Sequence, residues 1–348
     1  MELAERALAL CAIRSPIGEE AEIAQYVARE TGGERIGNAV VLGRVGSARP
    51  AVVLAGHLDT VPLQPGDFPA RRSGGRIHGR GASDMKGALA VMIELWNRLD
   101  RDKLPVELVE IFYDREEGPY EQNGLSPLFA KRPDLRKAAL ALCLEPTDLA
   151  LQIGCCGSLH ATLTFRGRSA HSARPWQGEN AVHKAGPLLT ELQQRPPREV
   201  RFGELTYREV MSVTRIEGFT GRNVVPARCD LNLNFRFAPG RSADEAAAEV
   251  EALARRFGAE CVVTDRAPSG PVIFDNPLLQ EFRASTAAPV EAKQAWTDVA
   301  QLAQLGIPAA NFGPGEQAQA HQQGESCSEE SLAKAYRMLE KFLTEAVT

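Results

Sequence analysis

Residues 51–59 read Ala51-Val52-Val53-Leu54-Ala55-Gly56-His57-Leu58-Asp59, an apolar run that ends in an imidazole and a carboxylate. A short, Val-rich run with no polar alternation suits a strand covered on both faces, as in a sheet flanked by helices. The same pattern recurs at 40–42, 106–112 and 139–144, and a helical pattern spans 85–99 between the second and third of these four runs. Leu3, Ala7 and Leu10, then Ile23 and Val27, recur at helical spacing and predict two amphipathic helices ahead of the first strand. Strands alternating with helices predict an α/β layer.

From about residue 154 the pattern changes. Leu159-Ala161-Leu163-Phe165 and Leu231-Leu233-Phe235-Phe237 alternate with period two, so these strands have one wet face. The segment predicts strand 159–166, helix 180–194, strands 210–217 and 228–237, helix 242–257 and strand 260–264, the split β-α-β-β-α-β order of a ferredoxin-like unit. After the Pro- and Gly-containing stretch 267–271 the α/β pattern returns, with helix 297–305, strand 308–312 and a terminal helix from Ser328. The expected division is a main domain of residues 1–154 and 268–348, interrupted by a smaller α+β domain of residues 155–267.

The 348 residues are enough for about two domains. A 44% hydrophobic and 24% charged composition belongs to a globular chain that needs no disulfide or metal staple to fold. Forty basic against 45 acidic residues leave a charge of −5 and no basic stripe, which argues against a nucleic-acid partner. No apolar run is long enough to span a membrane, and the first residues carry Glu2, Glu5 and Arg6 rather than a signal-peptide pattern. Seven scattered cysteines without a C-x-x-C pair suit reduced thiols, and with them a cytoplasmic location.

In an open α/β sheet ligands bind beyond the carboxyl ends of the strands, so the residues just after each run carry the chemistry. Here 51–55 is followed by His57 and Asp59, 106–112 by Asp114, Glu116 and Glu117, 139–144 by Glu145, and 309–312 by a loop containing His321. Asp84 adds a carboxylate at the start of the 85–99 helical pattern. Each residue alone has an ordinary structural reading as a cap, a turn or a solvated acid. Gathered at one rim, so many carboxylates without a cation would raise one another's pKa values at a cost of several kcal/mol. Two imidazoles with three or four carboxylates suit zinc or its neighbours and exceed what one tetrahedral ion needs. Two ions sharing a carboxylate would use the whole set and would equip the site for amide hydrolysis.

Gly56-His57-Leu58-Asp59-Thr60-Val61, Gly79-Arg80-Gly81-Ala82-Ser83-Asp84-Met85-Lys86-Gly87, Glu116-Glu117-Gly118, Leu144-Glu145-Pro146-Thr147 and the late His321 together resemble the di-zinc aminoacylase, carboxypeptidase and desuccinylase superfamily over nearly the whole chain. The resemblance implies a di-zinc exopeptidase-like catalytic domain of α/β class with an inserted α+β ferredoxin-like lid and dimerisation domain. It implies two zinc ions per subunit, with cobalt able to substitute. His57 and Glu145 fall on one ion, Glu117 and His321 on the other, and Asp84 bridges them. Asp59 orients the His57 ring and Glu116 is the general base. The implied substrate is a small N-acyl amino acid.

Further segments, among them 167–176, Gly221-Arg222-Asn223-Val224-Val225-Pro226, Phe235-Arg236-Phe237 and Trp296-Thr297-Asp298-Val299, point to the desuccinylase branch. The resemblance implies a homodimer through the inserted domain, with His171 reaching the partner's metal site as an oxyanion donor. It also places Asn223, Arg236, Arg174 and Thr297 on the substrate, while Asp298 reads as a helix cap. Where some members of that branch have arginines, this chain has Gly154-Cys155-Cys156-Gly157, which leaves Arg174, Arg222 or Arg236 to hold a substrate carboxylate. The cysteine pair itself reads as a packed hinge, and His78, His160 and His183 as structural. Competing readings are a hydrolase of acetylornithine, a dipeptide or a carrier-linked amino acid, and a metal-binding relative without catalysis.

Overall fold

A computed structural model describes residues 2–218 and 220–346. The chain divides into two compact units. The first takes in the chain up to Gly154, Val272–Lys293 and the chain from Thr297 onward; the second takes in Cys155–Pro271 and Gln294–Trp296.

The first unit begins with helices α1 (Leu3–Ala12) and α2 (Ala21–Thr31), then strands β1 (Glu34–Ile36), β2 (Ala39–Leu42), β3 (Ala51–His57), β4 (Arg71–Ser73) and β5 (Arg76–His78). Helix α3 (Gly87–Arg98), β6 (Glu107–Tyr113), α4 (Leu125–Lys131), β7 (Leu140–Cys143) and β8 (Leu151–Ile153) follow. The second unit supplies β9 (Gly157–Arg166), α5 (Ala181–Gln194), β10 (Arg198–Phe202), β11 (Leu205–Glu217), β12 (Arg228–Phe237), α6 (Ala243–Arg256) and β13 (Glu260–Ala267). The chain returns to the first unit with α7 (Pro277–Thr286), β14 (Val290–Ala292), α8 (Val299–Gln304), β15 (Ala309–Asn311), β16 (Ser326–Ser328) and α9 (Glu329–Glu345).

The first unit's main sheet runs β1-β2-β6-β3-β7-β15-β8-β14. Its centre, β6-β3-β7-β15, is parallel, so those strands end at one rim. Register fixes that rim: His57 pairs with Tyr113, and Ala55 with Cys143. Every residue of β3 is buried, as an unbroken apolar run requires when helices cover the sheet. Helix α3 lies against β3 so closely that a Cβ on Gly56 would come within 2.8 Å of the Leu89 and Met85 side chains. A glycine at the end of this strand therefore lets the helix reach the sheet.

The second unit is an antiparallel sheet in the order β10-β11-β12-β9-β13. Leu159, Leu163 and Phe165 of β9 and Leu231, Leu233 and Phe235 of β12 pack with Leu188 of α5 and Val250 of α6 in one core. Period-two alternation had put these residues on a single face. Strand β10 was not expected, because Arg198-Glu199-Val200-Arg201-Phe202 pairs on one side only and its charged, largely exposed residues carry no core-facing period. The seven cysteines are free, and Cys155 pairs with Gly270 through backbone hydrogen bonds inside this unit. No helix among the described residues is long and apolar enough to cross a membrane.

Candidate metal centre

His57 is the last residue of β3, and its ring Nδ1 lies 3.0 Å from the Asp59 carbonyl oxygen. A carbonyl can only accept, so Nδ1 carries a proton, and Nε2 is the ring nitrogen that faces the rim. There Nε2 meets Asp84 Oδ1 at 3.1 Å and Glu145 Oε1 at 3.9 Å. The Asp59 carboxylate is farther from the ring, at 3.6 Å, and its oxygens accept from the backbone N–H groups of Glu116 and Glu117 at 3.1 and 2.9 Å. Asp59 thus serves both neighbours: its carbonyl sets the His57 ring and its carboxylate sets the acidic turn that follows β6.

Asp84 departs from the sequence expectation in its backbone. The helical pattern from residue 85 puts it at a helix start, yet Asp84 and Met85 have φ/ψ of −122/91 and −134/33, and α3 begins at Gly87. In this non-helical turn the Ser83 and Asp84 N–H groups find their acceptor in the Glu325 carboxylate, both at 2.9 Å. Glu145 sits two residues beyond β7. Its loop is braced by Thr147, whose hydroxyl donates to the Gly313 carbonyl at 3.1 Å and accepts from the Gly313 N–H at 2.9 Å. A Cβ on Gly313 would lie 2.3 Å from the Glu145 carbonyl oxygen, so the approach of these loops demands glycine.

His321 closes the set from a half-exposed loop at φ 62, a left-handed conformation that histidine tolerates better than most residues. Its Nε2 lies 3.2 Å from Glu117 Oε1 and 3.5 Å from Asp84 Oδ2. Potential ligand atoms of His57, Asp84 and Glu145 lie within 4.8 Å of one another, as do those of Asp84, Glu117 and His321, and Asp84 belongs to both groups. A third group joins His57 to Glu116 and Glu117.

The electrostatics are those of a site that calls for cations. Burial and the adjacent Glu145 push the Glu116 carboxyl well above the usual range, and burial with the nearby Asp84 charge raises Glu145 to about 7. Burial works against a charge on His57, but the Asp84 hydrogen bond and the surrounding Glu116, Glu145 and Asp59 charges raise it well above its ordinary value. Hydrogen bonds to Asp84 and Glu117 raise His321 to about 10. Glu145 Oε1 is buried with no hydrogen-bond partner among the described residues. An orphaned carboxylate oxygen, two imidazole nitrogens and a shared aspartate fit a pair of divalent cations, which would satisfy the buried Glu145 oxygen.

Of the residues placed on the substrate, Thr297 is buried in the first unit immediately before α8. His171, Arg174 and Asn223 are exposed in the second unit, where Ser172 N–H donates to the Asn223 carbonyl at 2.9 Å and His171 bridges Val224. Arg236, on β12, is partly buried; its Nε donates to Asn234 Oδ1 at 3.1 Å, and burial lowers its pKa. His160 takes the structural place expected of it, between the Asn232 and Asn234 amides.

Asp298 does not cap α8 with its side chain. It is fully buried and accepts from Tyr113 Oη at 2.6 Å and Asn123 Nδ2 at 2.8 Å. Burial raises its pKa to about 6, and its charge is one of those that raise Glu116 and Glu145. Lys293, also buried, donates to the Pro146 carbonyl next to Glu145 at 3.1 Å. Sequence reasoning missed Tyr113, Asn123, Lys293 and Glu325. The available signals were thin: Tyr113 ends an apolar strand and Glu325 lies four residues after His321.

Residues 53–345 match Peptidase family M20/M25/M40. Over 346 residues the chain is 37% identical to a protein of Mycobacterium tuberculosis (strain CDC 1551 / Oshkosh) named putative succinyl-diaminopimelate desuccinylase DapE, covering 97% of each chain. It is 35% identical over 346 residues to a succinyl-diaminopimelate desuccinylase of Corynebacterium glutamicum, covering 96% of this chain and 94% of that one. Among solved structures, an M20 family metallo-carboxypeptidase from Sulfolobus solfataricus superposes with a TM-score of 0.78 at 18% identity, covering 99% of both chains, and shares the fold.

Proposed function

The chain belongs to peptidase family M20/M25/M40 and is a metal-dependent amidohydrolase of it, and we propose that its reaction is the hydrolysis of N-succinyl-LL-2,6-diaminopimelate to succinate and LL-2,6-diaminopimelate. The observation that carries the chemistry is the shared position of Asp84 between the His57/Glu145 and Glu117/His321 groups. Support for the substrate is the near full-length similarity to proteins named for that reaction.

In this reading His57 and Glu145 would hold one zinc ion, Glu117 and His321 would hold the other, and Asp84 would serve both. Cobalt is able to replace zinc, since nitrogen and carboxylate donors suit either. When bound, such ions lower the pKa of water and polarise a carbonyl. Glu116 is the acid left over: its carboxylate takes a proton from the attacking water and delivers it to the amine nitrogen as the C–N bond breaks. Asp59 keeps Glu116 in reach by holding its backbone N–H at 3.1 Å. His171 of a second subunit would donate to the oxygen that gains charge as water adds to the carbonyl. Asn223, Arg236, Arg174 and Thr297 bind the rest of the substrate, with the arginines taking up its carboxylates.

Dimerisation through the second unit is part of this reading. Trp176 (76% exposed), Ile216 (54%) and Val224 (38%) leave apolar side chains in water on that unit, with Trp176 and Val224 in the loops around His171. A cytoplasmic location is also part of this reading, supported by the unpaired cysteines. The deciding measurement compares succinate release from succinyl-diaminopimelate with acetate release from acetylornithine, both with zinc present. Faster turnover of acetylornithine would overturn the substrate, and failure on every N-acyl amine would overturn the activity.

A further inference from the structure

Glu325 lies four residues after His321, on the loop that enters β16, and its side chain is 1% exposed. One carboxylate oxygen, Oε2, accepts from Arg80 Nη1 and the Gly81 N–H, both at 3.0 Å. The other, Oε1, accepts from the Ser83 and Asp84 N–H groups, both at 2.9 Å. The Glu325 carbonyl accepts in turn from the Gly79 N–H at 3.0 Å. Arg80 is anchored on its far side, where its Nε donates to Asp67 Oδ2 at 3.0 Å. A single buried carboxylate thus gathers three backbone donors of the turn that carries Asp84, and it belongs to the same short loop as His321.

We propose that Glu325 is a positioning residue for the two-cation site, a clamp that fixes Asp84 and His321 relative to one another and so governs the ion held by Asp84, Glu117 and His321. The proposal rests on the metal reading above. It predicts an asymmetry. The His57, Asp84 and Glu145 group depends on the clamp only through Asp84, and its other two members end or follow β3 and β7. The His321 group depends on it at both ends, because the loop bearing His321 and the turn bearing Asp84 are joined through this carboxylate. Glu325→Gln keeps the shape but turns one acceptor oxygen into a donor facing N–H groups, so half the clamp opens.

The test is zinc titration of the purified full-length chain against a chromophoric chelator, with metal content measured per chain and folding checked by near-ultraviolet circular dichroism. The wild type should take up two ions. In Glu325→Gln the first ion should bind within about threefold of wild type and the second should weaken by about 10- to 100-fold, the range for residues that orient metal ligands. An Arg80→Met/Glu325→Gln/Asp67→Asn triple variant, which removes the three buried charges of this network together, should show the same split. Cobalt absorption should lose the second ion's contribution selectively, which a general loss of stability would not produce. Unchanged second-ion affinity in a folded variant, or equal weakening of both ions, overturns the clamp. Failure of both variants to fold assigns Glu325 to folding and also overturns it. A wild type that binds fewer than two ions overturns the metal reading itself, an outcome distinct from failure of the clamp.

Discussion

Tyr113 Oη donates to Asp298 Oδ2 at 2.6 Å, which ties the end of β6 to the residue that immediately precedes α8. The bond matters because Tyr113 immediately precedes the Asp114–Glu117 turn, and Asp298 would otherwise be a buried carboxylate with Asn123 as its remaining side-chain donor. Tyr113→Phe should cost about 1.5–3 kcal/mol, the value of a hydrogen bond to a charged group. Urea unfolding at pH 8 measures it, and an unchanged midpoint would show that the bond adds nothing. Asp298→Ala, which abandons both donors, should also lower turnover more than Tyr113→Phe does.

Glu116→Gln tests the base. None of the five proposed ligands is altered, so metal content should stay at two ions per chain while turnover falls by about 10²- to 10⁴-fold. Metal analysis and turnover on the same preparation decide it, and near-normal rates would assign the proton transfer elsewhere.

Metal removal should act on stability as well as activity. Without cations, burial raises Glu145 to about 7 and hydrogen bonds to Asp84 and Glu117 raise His321 to about 10, so protons stand where ligand lone pairs are needed. Zinc at a hundredfold excess over its dissociation constant should stabilise the chelator-treated chain by about 2.7 kcal/mol per ion bound to the native state alone. A thermal midpoint that does not move on adding zinc would speak against the site.

Glu110 gives a pH prediction away from the metals. It is fully buried on β6, and neither carboxylate oxygen has a hydrogen-bond partner among the described residues. Burial pushes its pKa well above the carboxylate range, which the Arg101 charge only partly opposes. The folded chain therefore keeps this proton to higher pH than the unfolded chain does. Stability from the group is full below the unfolded value of about 4.3 and falls by about 1.4 kcal/mol per pH unit until the folded value is reached. Glu110→Gln should remove that loss, so its advantage over wild type should grow from pH 4.5 to pH 8 in urea unfolding. A constant difference would refute the argument.

The arrangement of His171 is open to a mixing experiment. If it serves the partner's site, chains carrying His171→Ala and chains carrying Glu116→Gln, each inactive alone, should regain about a quarter of wild-type turnover when unfolded and refolded together, since half the dimers hold one complete site. No recovery would place His171 in its own subunit's site or outside catalysis.

Much of this protein could be read in one dimension. Unbroken apolar runs such as 51–55 name buried strands, and period two in 159–165 and 231–237 names a sheet with one wet face, because burial on one side or both leaves its mark on neighbouring residues. The candidate ligands were legible for the same reason, since parallel strands deliver whatever follows them to one rim. The supports of that site were not. Asp298 read as a helix cap, and nothing in the sequence singled out Glu325 or Tyr113. Their hydrogen bonds join positions 185 and 241 residues apart, across Tyr113 to Asp298 and Asp84 to Glu325, and no local pattern records such a pairing. The sequence determined which chemical groups stand at the strand ends; tertiary structure decided which buried acid holds which backbone turn, because a hydrogen bond depends on separation in space rather than along the chain.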